Sequence, residues 1–280
     1  MELLLGLGLV LLIIGAFTDI KTREVPDWLN YAVLLGAFGI RGIDSFAHSS
    51  WEPVVSGLIG FGIFFSAACL LYYLGQWGGG DAKSLMALGM IFGFEKSISS
   101  MLLAYALYLG VAGGIYGIIW GIAIAIKNRK AFAKEWRKQL PSSHLKLSFI
   151  IFACIAVAGL FFRDVFLTGS LVLLGLMLPL MIILILFMRA VQNSSMFHWR
   201  TPAQLTEGDW IVSKVVINKK EMKMPYGIES KQIAMLRKAK VKKVLVKEGI
   251  PFIPGMLLAY IMIILLGSPV QWLMVFSQSI

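Results

Sequence analysis

Residues 54–75, VVSGLIGFGIFFSAACLLYYLG, contain no charged side chain. A helix needs ~20 apolar residues to cross the hydrocarbon core of a bilayer, and this run is long enough. Similar runs recur from end to end, near 3–18, 28–45, 82–94, 101–126, 147–162, 165–188 and 252–276. They are continuous rather than alternating, so they predict helices and exclude the strands of a membrane barrel. Apolar residues make up 58% of the chain and charged residues 15%, which excludes an ordinary soluble fold. The expectation is an all-α polytopic membrane protein with about eight transmembrane helices. The count falls to six if the hairpin turning at Arg163-Asp164 does not cross.

Charge orients such a chain. With the N-terminus outside and all eight spans crossing, segments 19–27, 76–83, 127–146 and 189–251 share one side. They hold all but three of the 26 Lys and Arg residues, the exceptions being Arg41, Lys96 and Arg163. The positive-inside rule makes that basic side cytoplasmic and the location the cell membrane. Met1-Glu2 carries no basic n-region, which argues against a cleaved signal peptide. The net charge of +11 is thereby a matter of topology. Nucleic acid is not an expected partner, because the basic residues adjoin spans and no binding motif accompanies them.

Five regions follow. Residues 1–126 form a transmembrane core, 127–146 a basic cytoplasmic loop, 147–189 an additional hairpin, 190–250 an insert and 251–280 a last helix. The loop KNRKAFAKEWRKQLPSSHLK reads as an amphipathic stretch on anionic headgroups. In the insert, GDWIVSKVVINKKEMK suggests two strand-like halves around Asn218-Lys219-Lys220. IESKQIAMLRKAK has helical spacing of Ile228, Ile233 and Leu236, and VKKVLVKEG resembles another strand. The insert is therefore read as a small α+β cytoplasmic unit that leans on the membrane domain. In span five, Gly113, Gly117 and Gly121 make a small-residue ridge suited to helix packing, as do Gly89 and Gly93 in span four. Cys69 and Cys154 fall in spans, where burial is the default. His48, His144 and His198 are scattered, so neither a metal site nor a cofactor is expected.

Two acids stand apart. Asp19 ends span one in GAFTDIKTREVPDWLN, and Asp81 begins span four in GQWGGGDAKSLMALG. Asp81 alone could be a helix N-cap. Asp19 is harder to explain so, because a carboxylate at a helix C-terminus faces the negative end of the dipole. The topology brings both to the cytoplasmic boundary. Two adjacent carboxylates share a proton, so that one takes a proton from water while the other donates to a peptide carbonyl. Peptide hydrolysis by that route needs no metal and no covalent nucleophile. Gly78, Gly79 and Gly80 would let an extended substrate backbone approach closely.

Gly78-Gly79-Gly80-Asp81 fits the G-x-G-D motif, and GGGDAKSLMALG with TDIKTREVPDWLN resembles the two aspartate regions of a known family. The chain is similar to the GxGD membrane aspartyl peptidases, in particular type IV prepilin peptidases and archaeal preflagellin (prearchaellin) peptidases. It lacks the cysteine-rich domain usual in the bacterial branch and looks more like the archaeal members. The resemblance covers 10–95 well and 205–262 moderately. It implies Asp19 and Asp81 as the catalytic pair, with Gly78 and Gly80 shaping the loop and Gly79 at the variable position. Lys21, Arg23, Pro26, Asp27 and Lys83 lie in the matching stretches; Pro26 could simply start span two. The implied reaction removes a short basic leader from archaellin or type IV pilin-like precursors on the cytoplasmic side. Glu24, Asp27 and Glu248 are acids available to face that leader. A small-solute or ion transporter and a non-enzymatic scaffold of pilus or archaellum assembly are the competing readings.

Overall fold

The computed structural model describes residues 1–97, 100–159, 165–217, 220–222 and 227–271. Within these the chain is mostly helical. The N-terminal part comprises α1 (Glu2–Thr22), α2 (Asp27–Ala47), α3 (Glu52–Tyr73), α4 (Gly79–Phe92) and α5 (Met101–Lys127). Next come α6 (Arg129–Gln139), α7 (Ser143–Gly159) and α8 (Val165–Ser195). After α8 lie strands β1 (Phe197–Arg200), β2 (Trp210–Ile211), β3 (Val216–Ile217) and β4 (Lys220–Glu221). Helix α9 (Ser230–Lys238), strand β5 (Val244–Lys247) and helix α10 (Ile253–Leu266) complete the order. The helices α1, α3, α5 and residues 169–195 of α8 are long and apolar enough to cross a membrane. The Arg163-Asp164 turn and the Asn218-Lys219 pair lie outside the described residues.

Helix α4 is the centre of the molecule. Ala82, Leu85, Ala87, Leu88, Ile91 and Phe92 are all buried, as expected of a helix that is apolar all round. It packs on α1, α2 and α3. The α3 contact is closest where Gly60 meets Gly89. A Cβ on Gly89 would lie 2.5 Å from the Gly60 carbonyl oxygen and 2.9 Å from the Phe64 Cβ. Glycine is required there because the two backbones touch. The small-residue ridge of α5 is used in part: Gly113 faces Phe252 and Gly121 faces Phe187, whereas Gly117 has open space beside it.

Arg41 lies buried between these helices. Its Nε donates to the Met90 carbonyl at 2.7 Å, Nη2 to Ile91 at 3.0 Å and Nη1 to Pro53 at 2.8 Å. The last carbonyls of a helix have no partner within it, so this guanidinium closes the C-terminal end of α4. At the other side of α4, α10 runs antiparallel to α1, with the Tyr260 hydroxyl donating to Leu5 at 2.8 Å. Phe92, Tyr105 and Tyr260 form an aromatic cluster with centroids 5.0–6.2 Å apart.

Between α8 and α10, β1, β5 and β2 form an antiparallel sheet in that order, and β3 pairs with β4. Ile228, Ile233 and Leu236 point into a small core with Val244 and Val246. The basic helix α6 lays Phe132 and Trp136 against Phe187 of α8, with a bend of 62° into α7. Cys69 is half-buried, but Cys154 is exposed on α7, so the default of burial fails at Cys154.

Candidate active site

Asp19 occupies the last turn of α1 and is buried at 6% exposure. Its Oδ2 accepts the backbone N–H of Ile253 at 3.0 Å. Ile253 is the first residue of α10, so the carboxylate sits on the free amides and positive dipole end of that helix. This corrects the expectation that Asp19 meets only the unfavourable end of a dipole. Helix α10 supplies the opposite pole from 234 residues away. The chain then leaves α1 through Arg23, whose φ of 63° places a non-glycine residue in the left-handed region.

Asp81 lies three residues into α4 and is half-buried. Its Oδ2 accepts the Gly78 N–H at 3.1 Å. Gly78 rather than Asp81 is the N-cap, and Asp81 reaches back to it in the manner of a capping box. The expected cap is thus displaced by one turn, because an acid at the third position still reaches the cap amide. The charges of Asp19 and Asp81 lie within electrostatic range of one another. Among the described residues no hydrogen bond joins the two carboxylates. Each is held separately by the start of a different helix.

The three glycines divide. A Cβ on Gly80 would come 3.1 Å from the Val25 Cβ and 3.2 Å from its Cγ2. Gly80 therefore brings the α4 entrance against the link between α1 and α2, and so brings Asp81 toward Asp19. Gly79 has nothing within 4 Å, and exposed Gly78 would meet only the Asp81 Oδ2 at 3.5 Å.

The remaining motif residues are dispersed around this pair. Lys83 Nζ meets Asp27 Oδ1 at 2.5 Å, and one turn deeper Ser84 donates to Asn30 at 2.8 Å, joining α2 to α4. Pro26 is the N-cap of α2, not its first residue; Asp27 takes that position, where its charge suits the dipole. Lys21 is exposed and lies over the Phe17 ring at 5.8 Å. Glu24 is exposed. Arg23 lies over Trp120 at 5.4 Å and donates to the Gly249 carbonyl at 3.3 Å. A cavity of about 170 Å³ opens beside it, lined also by Lys127, His198 and Glu248. Glu248 is paired with Arg200.

Sequence reasoning missed several neighbours. Phe252 packs on Trp77 with centroids 5.1 Å apart, and Trp210 of β2 lies against Gly75. Tyr116 of α5 lies against Gly255 near the start of α10, with Trp120 packed beside it. Pro254 at the second helical position signals the start of α10, but no local pattern places that start on Asp19.

Comparison with known proteins bears on this half of the chain. Residues 6–124 match the model of the type IV leader peptidase family. Over this stretch the chain is similar to that family. A preflagellin peptidase of Methanococcus voltae is 34% identical over 88 residues, covering 31% of this chain and 36% of the relative. A prepilin peptidase of Methanocaldococcus jannaschii is 27% identical over 139 residues, covering 49% of this chain and 36% of that protein. A preflagellin peptidase of the same organism is 30% identical over 84 residues, covering 30% of this chain and 36% of its own length. The chain thus spans about a third of the length of each relative in these matches. No solved structure matches it. Both aspartates and all three glycines fall inside the matched stretch.

Proposed function

We propose that this chain is a membrane-embedded aspartyl endopeptidase that removes the short basic leader from archaellin or type IV pilin-like precursors. The observation that carries this reading is the pair Asp19 and Asp81, each anchored on a helix N-terminus, with Asp81 within electrostatic range of the Asp19 charge. Like charges at short range favour sharing one proton. The ionised member then takes a proton from water as its oxygen attacks the peptide carbonyl, and the protonated member donates to the carbonyl oxygen. Collapse of the tetrahedral species breaks the C–N bond, and the amine leaves with the transferred proton. Gly79, open on one side, gives an extended backbone room to approach.

In this reading α1 to α5, α7, α8 and α10 cross the bilayer with the N-terminus outside, and α6 rests on anionic headgroups. The aspartates then open to the cytoplasmic face of the cell membrane, beside an insert of residues 190–250. Glu24 is the acid best placed to meet a basic leader, since Asp27 and Glu248 already have cationic partners. The test is co-expression of wild type, Asp19→Asn or Asp81→Asn with an archaellin or prepilin precursor, followed by its size on a gel. The wild type converts the precursor and both variants leave it full-length. Normal conversion by either variant defeats the two-aspartate reading.

A further inference from the structure

The hydroxyl oxygen of the half-buried Tyr116 is itself buried, and among the described residues it has no hydrogen-bond partner. A buried hydroxyl without a partner is costly, so one kept in that state at the edge of a reaction centre invites explanation. The position of the side chain follows from three helices. Helix α10 runs antiparallel to α1, pairing Ile253 with Asp19 and Tyr260 with Leu5. It also runs antiparallel to α5, with Gly255 against Gly113 and Tyr260 beside Tyr105. Helices α1 and α5 are therefore parallel to each other.

On these parallel helices Arg23 stacks over Trp120. Four residues back on each, roughly 6 Å along the axis, stand Asp19 and Tyr116. The two lie at the same level on either side of the start of α10. The Tyr116 ring confirms this placement: its Cδ1 is 3.4 Å from the point a Cβ on Gly255 would occupy. Gly255 is two residues beyond the amide that holds Asp19. The Tyr116 phenol also lies within electrostatic range of Asp19 and Arg23. Its neighbour Trp120, 5.8 Å away between centroids, fixes the ring from the side of Arg23.

We propose that Tyr116 is a further catalytic residue, whose hydroxyl donates a hydrogen bond to the scissile carbonyl oxygen as it becomes tetrahedral beside Asp19. This rests on the peptidase reading above. The phenol keeps its proton throughout; bond making and breaking stay with the water, the peptide and the two aspartates. The donor its oxygen offers is completed only when a substrate carbonyl is present, and the interaction strengthens as charge gathers on that oxygen.

The test measures cleavage of a purified precursor by the detergent-solubilised full chain, with Asp19→Asn and Asp81→Asn in parallel. Tyr116→Phe is expected to lower kcat about 100-fold, the loss typical of one oxyanion donor, with little change in KM. A second comparison replaces Tyr116 by 4-aminophenylalanine or 4-methylphenylalanine, which have nearly equal shape but only one of which donates. The amino variant is expected to recover most of the lost kcat and the methyl variant none. Those two decide the matter even if the phenylalanine variant folds poorly. A Tyr116→Phe enzyme within about threefold of wild type, a loss in KM alone, or equal rates for the amino and methyl variants overturns the assignment. If the Asn variants are inactive while these results appear, only the role of Tyr116 falls. If the Asn variants cleave normally, the peptidase reading falls and this role falls with it.

Discussion

Replacing Arg41 by Met removes a buried cation and leaves three carbonyls without their donor. Each bond from a charged donor contributes ~1.5–3 kcal/mol, so the three found here, at 2.7, 2.8 and 3.0 Å, sum to a gross loss of several kcal/mol. The buried guanidinium itself costs desolvation that the Met variant no longer bears. The net expected loss is several kcal/mol, since each buried carbonyl left unpaired costs ~1–3 kcal/mol and the desolvation saving offsets part of the sum. That is a large part of a typical folding free energy of ~5–15 kcal/mol. Arg41→Lys keeps the charge at the C-terminal end of α4 but not the planar fork, so it recovers only part of the loss. The contacts with Met90 and Ile91 lie roughly 15 Å along α4 from Asp81, so cleavage per folded molecule is expected to stay near wild type. Pulse proteolysis in detergent across a denaturant series measures the stability, and precursor cleavage normalised to folded protein measures the activity. A Met variant within 1 kcal/mol of wild type, or a Lys variant as stable as the parent, would refute the reasoning.

Two further comparisons test the entrance to the site. Gly80→Ala pushes a methyl against Val25 and is expected to cost ~1–3 kcal/mol and to slow cleavage roughly tenfold by shifting Asp81, whereas Gly79→Ala leaves the melting temperature unchanged; equal effects on melting at the two positions would contradict the geometry. Glu24→Lys is expected to raise KM for precursor more than Asp27→Lys, because Asp27 is already neutralised by Lys83. Processing rates against leader charge measure this, and a larger effect at Asp27 would count against it.

Much of the helical frame is legible in the sequence because lipid imposes it. The runs at 54–75 and 101–126 begin and end within two residues of α3 and α5, since a long apolar stretch bounded by polar loops has little freedom. The run at 252–276 is less faithful: α10 stops at Leu266, where Gly267 takes φ 69° and ends the helix. Hydropathy does not register that change of backbone handedness. Strand β1, Phe197–Arg200, also escaped notice, because four residues pairing with β5 carry too short an alternation to be distinctive. At the site, Asp19 and Asp81 could be singled out because acids beside oily segments are rare. Tyr116, Trp120 and Phe252 could not, since aromatic residues in apolar helices are ordinary packing until long-range contacts give them a place. Arg41 was read as one of a few outer charges, and its role in closing α4 depends on carbonyls 49 and 50 residues away.

The amide of Ile253 that holds Asp19 belongs to the last helix to leave the ribosome among those described. A nascent chain that has placed α1 and α4 in the bilayer already carries both acids, yet Asp19 then lacks the helix start on which it rests. On the two-aspartate reading proposed above, the centre is timed by synthesis itself: Asp19 gains its helix start only once α10 has been made, after the insert that precedes it has emerged. On the same reading, a partly made chain stalled before α10 would be inert toward neighbouring helices.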